Sequence, residues 1–139
     1  MDARPAAKPQ YDLYLNGEWV PSATGETFET LNPATEQVIS RVAAAGERDV
    51  DAAVTAARAA FDAGKWSQLS ASDRGKALLR IAEGIRKNLD ELAYLETIDA
   101  GKTIGEPKNV EVPLEAELFE YFAGWATKIT GETIPVRGN

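Results

Sequence analysis

Cysteine is missing from the 139 residues, and so is histidine. Without Cys there are no disulfides, no thiolate nucleophile and no Cys-type zinc site. Without His the chain lacks the commonest general base near neutral pH and the commonest transition-metal ligand. Any chemistry has to come from carboxylates, Lys, Tyr and hydroxyls. No apolar run reaches the roughly 18–20 residues of a membrane-crossing helix. The first ten residues, MDARPAAKPQ, hold no apolar segment of the signal-peptide kind. Positive charge is also short: 15 Lys and Arg face 22 Asp and Glu, a net charge of −7. The basic residues are scattered, which argues against nucleic acid and anionic membrane as partners. A soluble, cytoplasmic protein is the expectation.

What is present is enough for a packed core. Apolar residues make up 44% of the chain, above the range of disordered segments. Residues 1–10, with Pro5 and Pro9, read as a loose arm. Residues 11–43 read as two hairpins. Asn16-Gly17 lies between "DLYL" and "EWVP", and this pair suits a type I′ turn. "TFETLN" and "QVISRVA" flank Pro33-Ala34-Thr35-Glu36, where Pro33 presets a turn corner. From Gly46 the period changes. Val50, Val54, Ala57 and Phe61 share one helix face, and Gly64 ends it. Ser70, with Asp73 three residues on, caps a second helix carrying Leu78, Ile81, Ile85 and Leu89. Asp90 is placed to cap a third, through Leu92, Leu95 and Ile98 to Gly101. A fourth runs from about Pro113 through Leu114, Leu118, Tyr121, Phe122 and Trp125. "ETIPVRGN" returns to strand character. The fold class is mixed α/β: N-terminal hairpins, four helices and a terminal strand. The order is not an alternating βαβ pattern, so a complete doubly wound nucleotide domain is absent.

The triplet Gly101-Lys102-Thr103 invites a phosphate-loop reading. That motif needs a glycine five positions before Gly101, after a strand and before a helix. Position 96 is Glu96, and Leu92 to Ile98 read as helix. Both requirements fail, and no G-x-G-x-x-G occurs anywhere. Lys102 suits the negative end of a helix dipole, but Asp99 in the last turn does not. Asp99 is either a solvated acid, a partner of Lys102, or an oxygen ligand to a hard cation.

Four stretches occur in order: "LYLNGEWVPSATGETFETLNPATEQVI", "DVDAAVTAARAAF", "LETIDAGKT" and "FEYFAGWATKITGETIPV". Together, over residues 11–139, they resemble the N-terminal segment of the aldehyde dehydrogenase superfamily. The resemblance implies an incomplete part of that fold. Residues 11–131 would belong to the cofactor-binding domain without its Rossmann core, and 132–139 would begin the oligomerisation arm. It implies a parent enzyme that oxidises aldehydes to acids with NAD or NADP. That parent would be a homo-oligomer, a dimer or a homotetramer. The family's catalytic Cys, Glu and Asn lie beyond this stretch, and Asn139 is not the oxyanion residue. No catalytic residue is therefore assigned, and a truncated chain without activity of its own is expected. The alternative is a stand-alone assembly module that associates with full-length subunits. Carried over by resemblance, Thr30 and Leu31 (backbone carbonyls) and Asp99 (carboxylate) would hold a monovalent cation, K⁺ or Na⁺. Glu111, Leu114 and Leu118 would border the substrate entrance, although Leu114 and Leu118 also fit a core stripe.

Overall fold

A computed structural model of the chain describes residues 6–135. The first hairpin pairs β2 (Leu13–Leu15) with β3 (Glu18–Val20), antiparallel, with Tyr14 opposite Trp19. Asn16 and Gly17 both have positive φ, 51° and 90°, as a type I′ turn requires. The second hairpin pairs β4 (Thr27–Leu31) with β5 (Val38–Ala43). Its register slips between Thr30, opposite Ser40, and Leu31, opposite Val38, which leaves a bulge at Ile39.

The N-terminal arm differs from expectation where it is described. β1 (Gln10–Tyr11) joins the free edge of β5 in parallel, giving the order β1-β5-β4. The Lys8 carbonyl accepts from Ser40 Oγ at 2.7 Å, and the Pro9 carbonyl accepts from Arg41 N at 3.0 Å. Pro9 lacks a donor, but an acceptor is all that edge needs there. The rest of the expected arm, residues 1–5, lies outside the described residues.

Helix α1 (Glu47–Asp62) follows Gly46, and α2 (Ala71–Lys87) follows Ser70. Ser70 Oγ accepts from Asp73 N at 3.1 Å, the expected cap. α3 (Leu89–Ala100) begins at Asn88, where the chain leaves helical geometry for one residue. Asp90 therefore sits inside the first turn and does not cap it. Instead it pairs with Lys108 Nζ at 2.7 Å. A π-helical turn, Pro107–Glu111, then runs directly into α4 (Val112–Trp125). The helical stretch thus starts at Gly105, eight residues before Pro113. A proline inside a helix clashes with the carbonyl four residues back, here Asn109, and the wider π turn accommodates it. The expected terminal strand does not form over residues 132–135, and 136–139 lie outside the described residues.

α4 lies along α2. The approach is close at Gly75, where a Cβ would stand 2.9 Å from the Ala123 carbonyl oxygen. Arg86 on α2 clasps Glu120 on α4 with both terminal guanidinium nitrogens, Nη1 to Oε1 and Nη2 at 2.9 Å from Oε2. This bond, above all, holds the Glu120 carboxyl below its ordinary range. The buried apolar residues are small: Ala43, Ala82, Ala93, Val112 and Ala116. Larger ones are half-buried, such as Leu78, Leu92 and Leu95, or open. Val50, Val54 and Phe61, the predicted stripe of α1, are exposed, Phe61 at 72%.

The contact at Gly75 sets up a sign test. In a free helix Gly→Ala stabilises by about 1 kcal/mol. Against the Ala123 carbonyl, overpacking costs about 1–3 kcal/mol. Gly75→Ala should therefore lower the urea midpoint followed by circular dichroism; a higher midpoint would refute the close approach.

Candidate functional site

The turn after β4 is built by its own side chains. Asn32 Oδ1 accepts from Ala34 N at 2.9 Å, and the Asn32 carbonyl accepts from Glu36 N at 2.7 Å. Asn32 N closes the loop onto the Gln37 carbonyl at 2.9 Å. This leaves Pro33 projecting at the corner. α3 ends at Gly101 with φ 70°, and a Cβ there would stand 2.7 Å from Pro33 Cγ. Only glycine fits both the left-handed backbone and that spacing. The end of α3 and the hairpin turn are thereby pressed together.

A cavity of about 350 Å³ opens between this hairpin and α3. Thr30, Ile39 and Val42 line it from the strands, Leu95 and Asp99 from α3. Two of the three proposed cation ligands, Thr30 and Asp99, thus meet on one cavity. The third, Leu31, does not line it and is 52% exposed. The oxygen donors available suit a hard cation, but two of them do not close a coordination shell. Among the described residues no group of three or more His, Cys, Asp or Glu is arranged to hold a metal.

Lys102 does not pair with Asp99. Its ammonium donates to Glu111 Oε1 at 2.7 Å and to Glu96 Oε1 at 2.9 Å. Glu111 first, and Glu96 next, raise the Lys102 pKa above its ordinary value. Glu111 is the last residue of the π turn, and its Oε2 is buried without a hydrogen-bond partner among the described residues. Leu114 and Leu118 follow on α4, both half exposed at 49%. These three residues share a helix face at i, i+3 and i+7. None of them lines the cavity that holds Thr30 and Asp99, so the two predicted sites are separate. Farther along α4, Tyr121, Phe122 and Trp125 border a groove of about 440 Å³ with Trp66 and Leu78. Expected as packing residues, these aromatics are open on one side.

Two acids with structural roles escaped the sequence reading. Asp49 is 7% exposed and accepts from Gly46 N and Ala23 N, both at 2.9 Å. It ties α1 to the loop after β3. The available signal was its place three residues after Gly46, a capping position. The other is Glu96, noticed only as the residue that breaks a phosphate loop; it is a partner of Lys102. The structure agrees that helix, not strand, precedes Gly101-Lys102-Thr103.

With this geometry in place, three comparisons bear on the chain. The aldehyde dehydrogenase family matches residues 19–139. Aldehyde dehydrogenase family 2 member B4, mitochondrial, of Arabidopsis thaliana is 50% identical over 127 residues, 91% of this chain and 24% of the plant protein. The mitochondrial benzaldehyde dehydrogenase of Antirrhinum majus is 46% identical over 136 residues, 97% of this chain and 26% of its own. A solved NAD⁺ complex of an aldehyde dehydrogenase from Bacillus cereus is 41% identical, with a TM-score of 0.85 over 92% of this chain and 26% of that one. The chain spans about a quarter of the length of the curated relatives it matches. The solved relatives bear out the expected partial aldehyde dehydrogenase fold.

The joint at Gly101 is testable. Gly101→Ala places a Cβ against Pro33 and forces alanine into left-handed geometry, together costing about 2–3 kcal/mol. Adding Pro33→Ala should recover the steric part and leave the backbone part. Urea unfolding of the two variants measures both; equal losses would mean the ring and the cap do not touch.

Proposed function

The chain belongs to the aldehyde dehydrogenase family, and we propose on that premise that its residues form the N-terminal part of an NAD- or NADP-dependent enzyme oxidising aldehydes to carboxylic acids. The observation that carries this reading is the open apolar surface. Trp19, Val54, Phe61, Tyr121, Phe122 and Trp125 stand on surfaces that no described element covers. Faces of this size belong inside a larger fold, and the matched relatives are about four times as long.

These 139 residues do not perform the oxidation alone. Covalent aldehyde oxidation passes through a thiolate adduct, and the sequence contains no Cys. The dinucleotide is likewise not held here. A pyrophosphate cradle needs a glycine-rich turn between a strand and a helix, and the described residues offer none, so no step through NAD is assigned to them. What this part contributes is scaffold. The Pro33–Gly101 joint brings Thr30 and Asp99 to one cavity, where the Thr30 carbonyl and the Asp99 carboxylate would be two of the oxygen ligands to K⁺ or Na⁺. Leu31, exposed in this chain, would need the remaining polypeptide to become the third. Glu111, Leu114 and Leu118 would border the aldehyde entrance from one face of α4. Assembly into a dimer or tetramer and a cytoplasmic setting belong to the same proposal. A stand-alone module bound to complete subunits is the second reading, favoured by the same open faces.

The test is a steady-state assay of NAD(P)H formation with short aldehydes. We expect no turnover from the purified 139-residue chain and turnover from the complete enzyme that carries it. Turnover by the chain alone would overturn the proposal, and stable co-purification with complete subunits would favour the second reading.

A further inference from the structure

Lys102 directly follows the cap that ends α3, and its ammonium bridges two elements. Glu96 Oε1, on α3, accepts at 2.9 Å, and Glu111 Oε1, at the end of the π turn, accepts at 2.7 Å. The π turn continues into α4 without a break, so Glu111 starts the face that carries Leu114 and Leu118. The second oxygen of Glu111 is buried and unpartnered among the described residues. A carboxylate held this way is costly unless a cation sits on its other oxygen. Lys102 is that cation, its ammonium 2.7 Å from Glu111 Oε1. Remove it, and Glu96 and Glu111 are left as two acids with no cation between them. Glu111 would then turn its charge toward solvent at the head of the Leu114–Leu118 face.

We propose that Lys102 is a positioning residue for substrate selection: by holding Glu111 against α3 it keeps the mouth formed by Leu114 and Leu118 apolar and open to anionic aldehydes. This rests on the reading of that face as the aldehyde entrance. Lys102 touches no substrate; it acts through Glu111. The substrate class affected is aldehydes that carry a carboxylate, because a free Glu111 repels them and leaves neutral aldehydes untouched.

The experiment uses the complete dehydrogenase carrying these residues, with butanal as the neutral probe and succinic semialdehyde as the anionic one. Lys102→Met should raise KM for succinic semialdehyde roughly three- to tenfold more than KM for butanal, with kcat altered equally for both. Lys102→Arg should keep the parent ratio. Lys102→Met with Glu111→Gln should restore it, and rising salt should shrink the effect. Glu111→Gln alone, which keeps Lys102, should shift the ratio the opposite way and serves if Lys102→Met does not fold. An unchanged ratio in Lys102→Met, or in Glu111→Gln if that variant stands in, overturns the proposal. Leu118→Trp separates the two failures. If it raises KM for both aldehydes while the charge variants change nothing, the entrance reading stands and Lys102 falls. If Leu118→Trp changes neither KM, the entrance reading falls and takes the proposal with it.

Discussion

Gly101 ends α3 in a left-handed turn, and the Pro33 ring packs where a side chain would otherwise begin. This contact joins the β4–β5 hairpin to the helices. Because it is there, Thr30 and Asp99 face one cavity although strand and helix are far apart in sequence. Because Gly101 reverses the chain, Lys102 turns back to reach Glu96 on the helix just completed and Glu111 ahead of it. The π turn and the start of α4 are then held against α3. A second close approach, Gly75 against the Ala123 carbonyl, sets α2 on α4. Absent side chains, more than large ones, decide how these elements meet.

The core reflects this. Its buried apolar residues are mainly alanines, and the large apolar residues lie outside it. Many polar and backbone groups are provided for, by caps at Ser70 and Gly101, the Asn32 turn, and Asp49 bonding two backbone donors, while Glu111 Oε2 and Thr97 Oγ1 are buried without a partner among the described residues. The apolar ledger is left open. α1 turns its regular stripe of Val50, Val54 and Phe61 to solvent, and α4 does the same with Leu114, Leu118, Tyr121, Phe122 and Trp125. A helix gains most of its stability from the face it buries, so these helices are shaped for a partner surface. In the family to which the chain belongs, the matched relatives have three quarters of their length beyond it.

Local chemistry was legible in the sequence, and long-range contact was not. The Asn16-Gly17 turn, the Ser70 cap and the stop at Gly101 could be read because each depends on neighbouring residues. The period of Val50, Val54 and Phe61 announced a helix face but could not say that nothing described covers it. Pro5 and Pro9 suggested a loose arm; the pairing of Gln10 and Tyr11 with β5 depends on an edge contributed much later in the chain. Pro113 marked a helix start, yet the helical stretch begins at Gly105 and passes through a π turn at Pro107–Glu111, which has no sequence period of its own. Of the cation candidates, Thr30 and Asp99 were brought together and Leu31 was not. Lys102 looked like a partner for Asp99 at i, i+3, but the reversal at Gly101 turns it toward Glu96 and Glu111.

The central claim is that the large apolar residues of this chain wait for a surface outside it. Trp19, Trp66 and Trp125 are the chain's three tryptophans, exposed at 58%, 51% and 47%. Acrylamide quenching of their fluorescence reads that exposure directly, in the 139-residue chain and in a complete dehydrogenase carrying only these tryptophans. The expected result is strong quenching in the isolated chain and marked shielding in the complete enzyme. Tryptophans equally open in both, or already shielded in the isolated chain, would contradict the claim.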